Sequence, residues 1–86
     1  MLSQKDFEEI IAFYKQEHQL NGWNALDISC RQLINTSSEA SEAAKAMVKN
    51  MMTGDQFIQG SIDTLNEDLV VRYYCDNLDE SRGRMF

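Results

Sequence analysis

Hydrophobic positions recur every three or four residues through three long stretches of the chain, and that spacing predicts three helices. In the first, Phe7, Ile10, Ile11 and Tyr14 make one apolar face of a helix running from about Ser3 to Gln19. Ser3 and Asp6 form a capping box with Asp in place of the usual Glu, and Asn21-Gly22 stops the helix because both residues tolerate left-handed backbone angles. The second stretch starts at Asp27 as N-cap and reaches about Met51. Its seam is Leu26, Cys30, Leu33, Ser37, Ala40, Ala44, Met47 and Met51. The middle of this seam is built of small serines and alanines, which let another helix approach closely. Thr53-Gly54-Asp55 is the next break. The third helix is predicted from about Asp55 to Leu78, with an interruption at Gly60 and a seam of Ile58, Ile62, Leu65, Leu69 and Tyr73. The polar tail from Asp79 to Phe86 is expected to fray. These elements predict an all-α fold: one domain over residues 1–86, an antiparallel helical bundle of three main helices, completed by dimerisation.

Composition agrees with helices. The 86 residues include no proline and only four glycines, a balance that favours helices and short connections. A chain of this size buries roughly 60–65% of its surface, so a homodimer or tetramer would supply missing core. The net charge of −6 disfavours direct nucleic-acid binding, because phosphate contacts need clustered Lys and Arg, and the longest basic patch is Arg82-Gly83-Arg84. It allows binding to cations or to a basic protein partner. Cys30 and Cys75 lack CxxC spacing and any His pairing, which makes them free buried thiols. No apolar run has the length of a membrane span and no secretory signal precedes Ser3, so a cytoplasmic protein without membrane contact is expected. His18, at the end of the first helix, complements the helix C-terminus.

Candidate chemistry gathers at Ser38-Glu39-Ala40-Ser41-Glu42. Carboxylates three residues apart share one helix face and suit one Mg²⁺, which takes oxygen ligands and keeps substrate phosphates in its shell. Most such pairs are a solvated acidic face. The run Ser38-Glu39-Ala40-Ser41-Glu42-Ala43, preceded by Leu33-Ile34, resembles the first helical motif of the MazG-like all-α nucleoside triphosphate pyrophosphohydrolases, phage members included. Asp68-Leu69-Val70-Val71-Arg72 resembles the segment after that family's second motif, and Trp23 fits the position before its first long helix. Ser38 and Leu65 stand where the family has Glu, which points to a degenerate member.

The resemblance implies Mg²⁺-dependent hydrolysis, with Mn²⁺ as a substitute, of a nucleoside triphosphate to monophosphate and pyrophosphate. It implies Glu39, Glu42 and Asp68 as catalytic metal ligands. Asp63 and Glu67, four residues apart, offer a shifted ligand set that would bring Glu67 to the metal, with a solvated acidic face as the plainer reading. Lys45, Lys49 and Arg72 are placed for phosphate charge by position, and Trp23 for stacking on the base, with a core anchor as its plainer role. Two other readings stand beside this one. One is a non-catalytic acidic helical protein of the same fold that binds or inhibits a partner protein. The other is an unrelated small acidic inhibitor.

Overall fold

The computed structural model describes residues 2–22 and 24–74. Trp23, Cys75 and the tail expected to fray lie outside the described residues. Helix α1 spans Gln4–Leu20 and strand β1 spans Ala25–Ser29. The single turn α2 (Cys30–Leu33), a 3₁₀ turn (Ser37–Glu39) and helix α3 (Ala40–Lys49) follow, then strands β2 (Gln56–Gln59) and β3 (Val70–Tyr74).

The first helix forms where its caps place it. Ser3 Oγ accepts from the Asp6 amide, and the Asp6 carboxylate accepts from the Ser3 amide, so the box closes in both directions. Asn21 caps the C-terminus and Gly22 takes the left-handed turn at φ 78°. The inner face of α1, Phe7 and Ile11, is fully buried against α3. Helix α3 presents Ala40, Ala43, Ala44, Ala46 and Met47 as buried residues, so the small side chains do let a helix come close.

The all-α bundle is overturned: the chain is a mixed α/β domain with a three-stranded antiparallel sheet in the order β1-β3-β2. The stretch expected as one helix from Asp27 to Met51 divides into β1, α2, the 3₁₀ turn and α3. The stretch expected as a helix from Asp55 holds β2, an irregular connection and β3. The physical reason lies in the side chains. Val70-Val71-Arg72-Tyr73-Tyr74 is β-branched and aromatic, types whose χ1 restriction suits a pleated surface. Leu69, Val71 and Tyr73 are fully buried, while Val70, Arg72 and Tyr74 between them are not. Leu26 and Ile28 of β1 alternate in the same way and lie opposite Tyr73 and Val71. Leu69 and Tyr73 are four apart, a spacing that keeps two residues on one face of a helix and equally on one face of a strand.

The sheet's inner face packs under the helices, and its other face carries the Asp27–Arg72 pair in water. Strand β2 joins β3 through Gln56 and Phe57, and a register irregularity between Phe57 and Gln59 turns Ile58 outward. Asp55 ties the α3–β2 connection to the sheet: its carboxylate accepts from the amides of Met52 and Tyr74, each at 2.8 Å. At Gly60 (φ 88°) an added Cβ would stand 3.1 Å from Leu69 Cδ1, so this turn needs glycine for its backbone angle.

Two isoleucines separate core from surface. Ile28 has no exposed area and Ile62 is 61% exposed. In urea unfolding, Ile28→Ala is expected to lose about 2–4 kcal/mol through lost burial and the cavity left behind. Ile62→Ala is expected to stay within about 0.5 kcal/mol of the parent.

Candidate functional site

The residues expected to form a metal centre lie on separate elements of this fold. Glu39 ends the 3₁₀ turn, buried, where its carboxylate accepts from the backbone amides of Leu2 (3.1 Å), Asn35 (3.0 Å) and Thr36 (3.2 Å). These backbone donors, Leu2 first, hold its carboxyl below the ordinary value of 4.5. Glu42 lies in the first turn of α3, where a negative charge suits the helix N-terminus. Asp68 is on the turn before β3 rather than on a helix, and it pairs with Arg31 of α2 at 2.7 Å. Glu67 flanks the same guanidinium at 3.5 Å.

The expected phosphate-binding cations are also distributed. Lys45 is exposed on α3, and Lys49 on the same helix reaches Glu8 at 3.6 Å. Arg72 lies on β3 and donates twice to the Asp27 carboxylate, at 2.7 and 3.0 Å, which lowers the pKa of Asp27. Trp23, expected to stack on a base, is outside the described residues. Among the described residues, no group of three or more His, Cys, Asp or Glu is placed to hold a metal ion. The MazG-like resemblance is overturned with the fold it requires, and neither the pyrophosphohydrolase nor a non-catalytic protein of that fold describes this chain. The hydrolase reading rested on that resemblance and falls with it.

Among the described residues, two surface depressions bear on a site. One, of about 410 Å³, lies where the C-terminal end of α1 meets the open sheet face, lined by His18, Ala25, Leu26, Asp27, Arg72 and Tyr74. Its charged centre is the Asp27–Arg72 pair, whose partners already satisfy each other. The other, of about 510 Å³, runs along the outer side of α1 and is lined by Leu2, Asp6, Glu9, Ile10, Phe13 and Tyr14.

The second depression exists because α1 carries more apolar surface than the fold covers. Phe7 and Ile11 are consumed by the core, whereas Phe13 is 57% exposed and Tyr14 37%. Their rings lie 6.2 Å apart, tilted by 55°. Leu2 closes one end of the groove, and it is held there by the hydrogen bond its backbone amide donates to the carboxylate of buried Glu39. On the groove wall, the Ser3 amide and hydroxyl hydrogen-bond the Asp6 carboxylate and lower its pKa. The hydrophobic seam read from the sequence takes in Ile10 and Tyr14 of this groove but not Phe13, which is about 120° around the helix from Phe7. An aromatic residue that far from the buried seam was the available signal.

No known protein family, curated protein or solved structure matches the chain. Among the described residues, no helix is long and apolar enough to cross a membrane.

The Glu39 carboxylate should act as a pH-dependent strap. Its folded pKa lies below the unfolded value, so its contribution to stability is present above about pH 4.5 and is lost as pH falls through the folded pKa. Glu39→Gln should therefore lower Tm at neutral pH, and the gap from the parent should narrow as acid protonates the parent's carboxyl. Melting curves across pH 3 to 7 check this, with a pH-independent gap as the contrary result.

Proposed function

We propose that this chain is a small protein-interaction module whose contact surface is the outer face of α1. The observation that carries the reading is Phe13, a large aromatic side chain left 57% exposed beside partly buried Ile10 and Leu2, on a helix whose opposite face is already packed. Single exposed apolar residues are ordinary on protein surfaces. A contiguous groove of them with a polar wall is the pattern of a surface that another molecule covers. Helical side chains spaced three and four apart give such a surface a fixed shape, because α1 is capped at both ends and its inner face is held in the core. The module is proposed to work in the cytoplasm, and the buried free thiol of Cys30 supports a reducing compartment.

Site-specific photo-crosslinking in the cells of origin tests the reading. A benzophenone side chain placed at position 13 is expected to give a protein adduct of one discrete mass. The same group at position 62, equally exposed and apolar in the parent, is expected to give none. Identical adduct patterns from both positions, or no adduct from position 13, overturn the proposal.

A further inference from the structure

Resting on that reading, we infer that the outer face of α1 receives a cationic amphipathic helix of another protein. The argument is carried by charge around Phe13. At about 100° per residue, Asp6, Glu9 and Glu17 all fall within about 60° of Phe13, and each of the three is exposed. Lys5 lies outside that arc, and Lys15 is buried on the opposite side, only 2% exposed. Ile10 and Leu20 share the arc with Phe13, so the face alternates carboxylate and apolar side chains over the length of the helix. A partner with Leu or Ile at helical spacing and Lys or Arg beside them matches both components.

Charge also selects against other occupants. A second copy would bring the same carboxylates against themselves across a two-fold axis, with −6 of net charge on each chain. Nucleic acid and anionic lipid present phosphates to a wall of carboxylates. Backbone chemistry excludes an extended peptide. The outer face of a helix offers no free N–H or C=O, so a strand lying on Phe13 would bury its own backbone groups unpaired. A helix satisfies its own backbone and can dock by side chains alone.

Fluorescence anisotropy with designed peptides tests this. The probe is an amphipathic helix of roughly 18 residues, about 27 Å long, with one Leu face and Lys elsewhere. Its counterpart keeps the Leu face and replaces every Lys with Glu. The Lys peptide is expected to bind, and to weaken as salt rises from about 50 to 500 mM. Phe13→Ser should weaken it about tenfold or more. Glu9→Gln with Glu17→Gln should weaken it less than the reversal Glu9→Lys with Glu17→Lys, all with unchanged circular dichroism.

Equal binding of the two peptides, both lost in Phe13→Ser, would overturn the cationic partner and leave the docking surface standing. Binding of the Lys peptide that ignores Phe13→Ser would overturn the docking surface itself. If neither peptide binds, the inference is wrong. A dimer in sedimentation that Phe13→Ser dissolves would then assign the face to a second copy.

Discussion

One buried cation holds the layers of this domain in a fixed relation. Lys15, on the inner side of α1, donates from Nζ to the carbonyl of Asn50 at 3.1 Å, and Asn50 caps the C-terminus of α3. The same ammonium stands 4.9 Å from the centre of the Tyr73 ring, on the middle strand of the sheet. The Tyr73 hydroxyl in turn donates to the Met47 carbonyl of α3, while its burial raises the phenol's pKa. A charge taken out of water needs compensation, and here it comes from the carbonyl end of a helix and the negative face of an aromatic ring. Asn50 Nδ2 reaches the Glu8 and Ala46 carbonyls, adding a second tie between the helices. These bonds set how far α1 is rotated about its axis. That rotation decides that Phe7 and Ile11 face the core and that Phe13 faces out.

A similar economy of charge runs through the acidic residues expected as metal ligands. Glu39, Glu67 and Asp68 each meet a nearer demand. Glu39 accepts from the amides of Asn35 and Thr36 in the loop before it and from the amide of Leu2 in the N-terminal segment. Asp68 and Glu67 bracket Arg31 where α2 meets the turn before β3. Asp27 neutralises Arg72 across two strands, a pairing available only because the second and third stretches are partly sheet. Glu39 and Asp68 resembled ligands as long as both were imagined on helices. Once the run after Asp68 is a strand, motif spacing no longer describes where its carboxylate goes.

Legibility followed local determinants. The N-terminal helix was readable because its signals are contained within it: the Ser3–Asp6 box, the Asn21-Gly22 stop and a seam of fixed period. The small-residue face of α3 was readable for the same reason. The strands were not, because the residues that define them are separated by the sheet's long-range pairing. Ile28 meets Val71 across more than half the described chain, and no window of neighbouring residues contains that contact. The spacing of Leu26 and Cys30, or of Leu69 and Tyr73, satisfies both a helix and a strand. Only the β-branched and aromatic content of 70–74 favoured the strand, and it was outweighed by the absence of proline and the scarcity of glycine.

The same distinction bears on function. A site built by convergence of distant side chains depends on a topology that local pattern misjudged, so its residues were chosen on a fold the chain does not have. A surface built along one capped helix depends only on that helix and on which side of it the core takes. Asp6, Glu9, Phe13 and Glu17 were therefore placed together by the sequence itself, within a single element whose ends were correctly read. What the sequence lacked was how the apolar face of Phe7, Ile10, Ile11 and Tyr14 divides between core and surface. Lys15 supplies it: a lysine in the middle of an amphipathic helix is expected in water, yet here it points into the core and meets α3 and Tyr73. With that cation inward, the aromatic and acidic residues opposite it are left on the outside, and the apolar surface of α1 exceeds what the described residues cover.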